Sequence, residues 1–282
     1  MNDFLPALSR RQVLAGAAAV GSVPIIGATT ASAEPDTGDH GRPGRVPPDL
    51  RAMLREISPR NLERTINKLV GFGTRNTLSS QDHPTRGIGA ARDWLFSEFQ
   101  KIAATSNGRM TVELQSYVQG VAPRIPVPTP ITNVVATLRG TAADSVDRTY
   151  VVSGHYDSMP TSVTDFTTDA PGANDDGSGT AAVLEMARVM ATRQFDATIV
   201  FMTVAGEEQG LFGANHFATT AKAAGRNIAG MFTNDIIGSS VGQDGKHDPF
   251  TIRCFGEGLP NPANATLEAE WRRFGGIGRA HV

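Results

Sequence analysis

Residues 171–190 have the sequence PGANDDGSGTAAVLEMARVM, and this stretch decides the fold. Its apolar residues recur at helical spacing and predict a helix over Gly177–Arg193. Asn174, Asp175 and Asp176 come immediately before that helix. A single carboxylate there would be explained by the helix dipole, which favours negative charge at the N-terminus. Two adjacent acids beside an amide favour instead a bound cation that offsets their repulsion.

Outside this stretch, helical and strand patterns alternate along the chain. Ser58 is predicted to cap the first helix, with Pro59 at its first position. The predicted helices cover residues 58–73, 85–103, 177–193 and 210–225, and the predicted strands cover residues 110–118, 131–140, 149–158, 197–208 and 228–238. The alternation predicts an α/β fold, with a mainly parallel central sheet and helices on both of its faces.

Polar side chains follow these strands, at the sheet edge where open α/β folds place their sites. In SGHYDS, His155 and Asp157 are two residues apart, so both side chains point to the same side of the strand. A carboxylate beside a histidine holds the imidazole in one orientation for a metal. Taken alone, the same pair is more typical of a solvated loop.

Two more acidic groups follow later strands. Glu207 and Glu208 come directly after an apolar strand, where adjacent side chains point in different directions. One of them could therefore bind a metal while the other faces a water. A solvated acidic loop is the alternative interpretation. Asp235 has apolar neighbours on both sides, which predicts an acid inside a buried strand. Burial of a charged carboxylate costs free energy unless the group is paired or bound to metal. A turn residue at the end of the strand is the other interpretation.

In this order, GHYDS, PGANDDGSGTAAVLEMARVM, AGEEQGLFGA and ND resemble the zinc-dependent aminopeptidases of peptidase family M28, over roughly Asn61–Gly256. The resemblance implies two zinc ions bridged by a water and by a carboxylate that Asp175 matches. His155 and Asp235 match the other ligands of one zinc, and Glu208 matches a ligand of the second.

The same resemblance implies the catalytic roles and the substrate. Glu207 matches the general base, and Asp157 matches the carboxylate that orients His155. The implied substrate is a peptide with a free N-terminus, from which the N-terminal residue is released. A cis peptide bond is implied between Asp175 and Asp176. A related zinc carboxypeptidase, a glutaminyl cyclase and a non-catalytic peptidase-like binding domain stay open, although the presence of Glu207 disfavours the last.

Composition limits the remaining classes. The 282 residues carry a formal net charge of −2, and 40% are hydrophobic, which is enough for a sizeable core. The sequence has no basic block, so nucleic acid is not an expected partner. The single cysteine, Cys254, excludes an intrachain disulfide; it lies in a strand-like stretch and is predicted to be a buried, inert thiol.

Residues 1–33 are predicted to be a twin-arginine export signal. Arg10 and Arg11 precede an apolar run rich in Gly and Ala, which ends in the small-residue cleavage pattern of residues 31–33. The run is interrupted by glycine and proline and is poorly suited to spanning a bilayer. We therefore expect a periplasmic or secreted protein that uses an export machinery and has no membrane association after signal removal. Residues 34–48 are a Pro/Gly-rich linker.

Residues 49–276 are interpreted as an incomplete metallopeptidase domain. The family requires one further histidine ligand, in a His-Thr/Ser-x-x-Asp context, but His247 lies in a polar turn and His281 lacks that context. The final IGRAHV is what one frame of a sequencing adapter encodes, so residues 277–282 are predicted to be translated adapter. The last strands and part of the second zinc site would then be missing, and this chain would be an inactive, poorly soluble fragment.

Overall fold

The computed structural model describes residues 46–249, except Gln243, and the backbone of two short strands further along the chain. The predicted export signal, residues 34–45 of the predicted linker and residues 255–277 lie outside the described residues. The side chains of Cys254 and His281 are also outside them.

The described elements follow the predicted order. The helices are α1 Pro48–Glu56, α2 Pro59–Val70, α3 Gly87–Ala103, α4 Gly177–Met190, α5 Glu207–Gly210 and α6 Phe212–Ala223. The strands are β1 Met110–Gln119, β2 Thr129–Leu138, β3 Arg148–His155, β4 Thr198–Val204, β5 Asn227–Thr233, β6 Thr251–Cys254 and β7 Gly278–His281. Ser58 caps α2 as predicted, because its side chain accepts a hydrogen bond from the backbone N–H of Asn61 at 3.3 Å. Helix α1 is not predicted by the sequence and buries none of its residues.

The central sheet has the strand order β1-β2-β4-β3-β5. Strands β3, β4 and β5 are parallel, whereas β2 is antiparallel to both β1 and β4. The α/β class is confirmed, and the sheet is mixed, with two parallel and two antiparallel pairings. The reason lies in the connections, since a loop of residues 120–128 without a helix joins β1 to β2, while α4 supplies the crossover that parallel neighbours such as β3 and β4 require.

Helices cover both faces of this sheet, as predicted. Along β4, Phe201 packs with the apolar layer that α2, α3 and α4 share, while Val200 and Met202 pack with Phe217 of α6 on the opposite face. This alternation follows from the two-residue period of a strand, in which both faces are buried. Within the described residues, no helix combines the length and the apolar character that crossing a bilayer requires.

Strand β5 forms one edge of the central sheet, and the prediction that Asp235 lies in a buried strand is wrong. Phe232 of β5 is 63% exposed, Ile236 is 54% exposed, and the side chain of Asp235 is 46% exposed. The sequence around Asp235 is apolar, but a strand is well buried when other strands flank it on both sides. In the described sheet β5 has β3 on one side and forms the edge on the other.

Strands β6 and β7 form a separate two-stranded antiparallel sheet, in which Thr251 lies opposite His281. The strand-like pattern around Cys254 is thus confirmed. The sequence does not predict β7, and the adapter origin of residues 277–282 stays a prediction.

Candidate metal centre

His155 is the last residue of β3 and the buried centre of the site, with 3% of its surface exposed. Its backbone N–H donates to the Asp176 carboxylate at 3.0 Å, and its carbonyl accepts a 2.8 Å hydrogen bond from Thr180 Oγ1. Asp176 also caps α4, because its second oxygen accepts from the N–H of Gly179 at 2.8 Å. The end of β3 is therefore bound to the first turn of α4 through both sides of His155.

Two glycines allow these segments to approach closely. A Cβ at Gly154 would lie 2.7 Å from the backbone of Gly179, and a Cβ at Gly179 would lie 2.2 Å from the carbonyl oxygen of Asn234. The loop in between contains the cis peptide bond at Asp175–Asp176 that the family resemblance implies. The chain segments that carry the three candidate ligands are thus packed against one another at backbone distance.

Three candidate ligand atoms converge at this edge of the sheet. His155 Nε2 lies 3.1 Å from Asp175 Oδ1 and 3.8 Å from Asp235 Oδ1. Among the described residues these three side chains form a group that could hold a metal ion, with ligand atoms within 4.8 Å of one another. Two atoms bound to one tetrahedral zinc at about 2.1 Å lie about 3.4 Å apart. An imidazole with two carboxylates at this spacing fits zinc.

The electrostatics of the site favour a cation. Burial alone would lower the pKa of His155, but hydrogen bonds to the surrounding carboxylates outweigh burial and raise it. The hydrogen bond with His155 lowers the pKa of Asp175, against partial burial, and the charge of Arg75 adds to this effect. Burial raises the pKa of Asp176 to about 7. The acids that converge on His155 therefore favour a positive charge at this place, which a bound metal cation would supply.

Asp157 is fully buried and joins the end of β3 to α5. Its carboxylate accepts hydrogen bonds from Thr77 Oγ1 at 3.2 Å and from the backbone N–H groups of Glu207 and Glu208 at 3.3 and 3.2 Å. Its Oδ1 lies 3.5 Å from His155 Nδ1, while its own carbonyl oxygen is closer to that nitrogen, at 3.2 Å. The predicted partner of His155 therefore lies beside it and also holds the backbone of both predicted glutamates.

Glu207 and Glu208 begin α5, the short helix that follows β4. Glu207 Oε2 lies 3.9 Å from His155 Nε2, the imidazole atom that also faces the two aspartates. Burial raises the pKa of Glu207, and burial together with the charge of Asp175 raises the pKa of Glu208 to about 7. The three-residue group above does not include Glu208, so its place at a second zinc stays a prediction.

Asn174, just before α4, and Ser178, in its first turn, hold the chain that follows Asp235. The sequence predicts Asn174 beside a cation; in the structure its Oδ1 accepts a 2.8 Å hydrogen bond from the N–H of Gly238. Ser178 Oγ accepts from the N–H of Ile237 at 3.1 Å and donates to the carbonyl of Asn174 at 2.7 Å. These contacts tie the chain that follows Asp235 to the loop that carries Asp175.

Sequence reasoning missed Arg75 and Thr77, which lie between α2 and α3 and are both fully buried. They belong to the polar stretch TRNT, which has neither helical nor strand periodicity. A polar stretch next to glycine is typical of surface loops, so the pattern favours the opposite of what the structure shows.

Comparisons with known proteins identify relatives of this chain. The family model for peptidase family M28 matches residues 133–250. A probable zinc metalloprotease of Leptosphaeria maculans is 54% identical over 228 residues, which are 81% of this chain and 52% of that protein. The chain therefore spans about half the length of the curated relatives it matches.

Two solved structures share the fold. An aminopeptidase of Aneurinibacillus sp. strain AM-1 has a TM-score of 0.52 at 16% identity, and the match covers 69% of this chain and 74% of the other. A glutaminyl cyclase of an Acidobacteriales bacterium also has a TM-score of 0.52, at 20% identity, with 65% of this chain and 60% of the other covered. At these identities the likeness shows the fold alone, which both chemistries use.

Proposed function

The chain belongs to peptidase family M28, and on this basis we propose that its metal centre uses zinc to release the N-terminal residue of a peptide. One observation carries the proposal. The imidazole nitrogen of His155 that faces Asp175 at 3.1 Å also has Glu207 Oε2 at 3.9 Å. A cation held by the ligand group would thus lie beside a carboxylate that the group does not need as a ligand.

The proposed ligands of one zinc are His155, Asp175 and Asp235. The family resemblance adds a second zinc, shared through Asp175 and bound by Glu208, and the influence of the Asp175 charge on the pKa of Glu208 supports their proximity. When bound, zinc supplies a Lewis acid for the scissile carbonyl and lowers the pKa of a water toward neutrality.

Glu207 is the proposed general base. Its carboxylate accepts a proton from the attacking water and then passes it to the leaving amine. A carboxyl whose pKa is raised toward neutrality is suited to both steps. The carboxylate of Asp157 fixes the start of α5 by accepting the backbone N–H of Glu207, and so holds the base beside the ligand group.

The sequence motifs support a substrate with a free α-amino group, because GHYDS, AGEEQGLFGA and ND resemble those of the aminopeptidases of the family. The carboxylates of Asp175, Glu207 and Glu208 are only partly buried, and bound zinc ions would offset their negative charge. The proposal of an aminopeptidase rather than a carboxypeptidase therefore rests on the motifs and not on the charge of the site.

The test measures zinc content and product. The sequence predicts that the 282-residue chain alone is inactive, so turnover is measured on it and on the product of the intact gene. We expect zinc in both proteins, and release of leucine from leucine p-nitroanilide by the intact product. Glu207→Gln should lower kcat at least about 100-fold and leave the zinc content unchanged.

Other outcomes would change the assigned activity or contradict the proposal. Release of a C-terminal residue, or cyclisation of an N-terminal glutamine, would assign one of the related zinc chemistries. Full activity after exhaustive chelation would contradict a zinc enzyme of any of these kinds.

We also propose export by the twin-arginine route, on the strength of the paired Arg10 and Arg11 and the apolar run that follows them. Replacement of both arginines by lysine should leave the protein in the cytoplasm of a host with this route. Unchanged export of that variant would refute the proposal.

A further inference from the structure

Arg75 is fully buried, and it is hydrogen-bonded to the segments that lead to His155 and Asp175. Its guanidinium donates to the carbonyl oxygens of Tyr156 at 2.6 Å, of Pro171 at 2.8 Å, of Gly172 at 3.0 Å and of Leu69 at 3.1 Å. All four of these acceptors are neutral backbone groups. A buried guanidinium that is held by carbonyls calls for a source of compensating charge, since burying an uncompensated charge is costly.

The positions of the four carbonyls show what this side chain connects. Tyr156 lies between His155 and Asp157, and Pro171 and Gly172 begin the loop that leads to Asp175. One planar group therefore joins the strand end that presents the imidazole to the loop that presents the carboxylate. The fork geometry of arginine suits this task, because its donors point in fixed, divergent directions.

The backbone around Arg75 adds to the connection. Its N–H donates to Ser158 Oγ at 3.2 Å, and its carbonyl accepts from the N–H of Ser158 at 3.2 Å. Ser158 Oγ donates in turn to the carbonyl of Ala170 at 2.8 Å. The segment of Arg75 is thus hydrogen-bonded to both sides of the site, through the main chain as well as through the side chain.

The compensating charge comes from the acids of the site. Burial lowers the pKa of Arg75 to about 10, and the charges of Asp157, Asp176 and Asp175 oppose this reduction. The guanidinium therefore stays positive at neutral pH. It also contributes to the lowered pKa of Asp175, after His155.

A buried arginine also serves as a structural staple in proteins without any metal. Arg109 provides the comparison within this chain, since its partly buried guanidinium donates to the carbonyl of Ala191 at 3.0 Å, at the end of α4 remote from the metal centre. The contacts of Arg75 differ because they gather on the segments next to His155 and Asp175.

We infer that Arg75 is a positioning residue of the metal centre: it sets the separation of His155 and Asp175, and its charge lets the acidic side chains converge. The inference rests on the proposed zinc function, and it concerns metal affinity and ligand geometry rather than a contact with substrate.

The experiment compares zinc affinity and the Co²⁺ absorption spectrum in the full chain and in three variants. Arg75→Met removes the charge and the hydrogen bonds, Arg75→Lys keeps the charge but cannot span four carbonyls, and Arg109→Met is the matched control. We expect Arg75→Met to raise the Kd for zinc about 10–100-fold, as the loss of a residue behind the ligands does. Arg75→Lys should give a smaller rise with a changed Co²⁺ spectrum, and Arg109→Met should keep the affinity and spectrum of the parent chain.

Circular dichroism separates the outcomes. If Arg75→Met does not fold, Arg75→Lys decides the question, because a folded lysine variant with the parent Kd and spectrum would overturn the inference. Unfolding of both Arg75 variants would also overturn it, since the residue would then serve the fold. If the parent chain itself binds no zinc, the proposed metal function fails, which is a different result from parent-like binding by the variants.

Discussion

Strands β3 and β5 run parallel and side by side, and a candidate zinc ligand follows from each, but the two ligands are held in different ways. His155 ends a central strand, is 3% exposed, and has both its backbone N–H and its carbonyl bound by residues of α4. Asp235 follows an edge strand, and its side chain is 46% exposed. The side chains of Asn174 and Ser178 hold the residues after it, and Asn234, the residue before it, donates to the carbonyl of Ser153 in β3.

This difference between His155 and Asp235 shows two sources of ligand geometry in one site. For His155 it comes from the fold itself, because a strand between two neighbours and a capped helix cannot move independently. For Asp235 it comes from a few hydrogen bonds of the residues next to it, which could be lost without unfolding the protein. A substitution at His155 should therefore lower both the stability of the fold and the affinity for metal. A substitution at Asp235 should lower the affinity for metal alone.

The largest effect is expected from His155→Ala, with Asp235→Asn as its counterpart. Either change should weaken zinc binding by more than about 100-fold, which exceeds the usual effect of a residue behind the ligands. His155→Ala should also lower the free energy of unfolding by about 1–3 kcal/mol, because the buried carboxylate of Asp157 and the partly exposed carboxylate of Asp175 lose the imidazole as a partner. Asp235→Asn should leave it unchanged. Calorimetric titration with zinc and thermal unfolding in chelator measure the two quantities.

The control for that comparison is His216→Ala, which removes a histidine that stacks on Tyr117 with ring centroids 4.2 Å apart, outside the ligand group. Its zinc affinity should equal that of the parent chain. A loss of stability in Asp235→Asn as large as in His155→Ala would mean that the two strands do not differ as described.

A smaller effect is expected from Asn174→Ala and Ser178→Ala, which release the chain after Asp235. Each variant loses a side-chain hydrogen bond to a backbone N–H, which is worth about 1 kcal/mol. We expect roughly that energy to appear as weaker zinc binding, about fivefold, with little change in unfolding temperature. Ser239→Ala is the control, because the side chain of Ser239 bonds to Val241, two residues away, and not to the site among the described residues. Parent-like zinc affinity in the Asn174 and Ser178 double variant would show that these anchors do not position Asp235.

The smallest effect on the site is expected from Glu185→Gln. Glu185 joins α4 to the start of α2 by accepting the N–H of Ser58 at 2.7 Å and a hydrogen bond from Asn61 at 3.2 Å, and it pairs with Arg188 at 2.7 Å. The variant should lose about 1–3 kcal/mol of unfolding free energy and keep its zinc affinity. The exposed Glu63 of α2 provides the control variant Glu63→Gln.

The loss of unfolding free energy in Glu185→Gln should decrease as the pH falls. Burial alone would raise the pKa of Glu185, but the hydrogen bonds from Arg188 and Ser58 outweigh burial and lower it. A lowered folded-state pKa contributes stability above the unfolded pKa, and that stability disappears as the pH falls through the folded pKa. Denaturant unfolding should therefore separate Glu185→Gln from the parent chain at pH 7 and not at strongly acidic pH. An undiminished difference in acid would contradict the role of the charge.

The parts of the fold that depend on local pattern were predictable from the sequence. Ser58 and Pro59 specify the start of α2 through capping and a fixed φ, and the apolar residues of β4 alternate between two buried layers. The order of polar groups at the strand ends also placed His155, Asp175 and Asp235 together. The helix start and the strand alternation are each encoded within a few residues, whereas the grouping of the three candidate ligands follows from the order of the motifs along the chain.

The features that were not predictable depend on distant neighbours. Asp235 has an apolar sequence context, but its exposure depends on what pairs with β5. Arg75 lies in a polar stretch, and it is buried because segments 81–97 residues away in sequence supply three of its four carbonyl acceptors. A local window contains neither kind of information.

The hydrogen bonds on the two sides of His155 have a consequence for strand register. Because Asp176 binds its N–H and Thr180 binds its carbonyl, β3 is fixed lengthwise against α4. A shift of β3 by one residue would turn every side chain of the strand to the opposite face of the sheet. Tyr156 would then replace the imidazole at the edge of the acidic cluster. The carboxylate that caps α4 thus also selects, among the possible alignments of β3, the one in which a histidine faces the metal ligands.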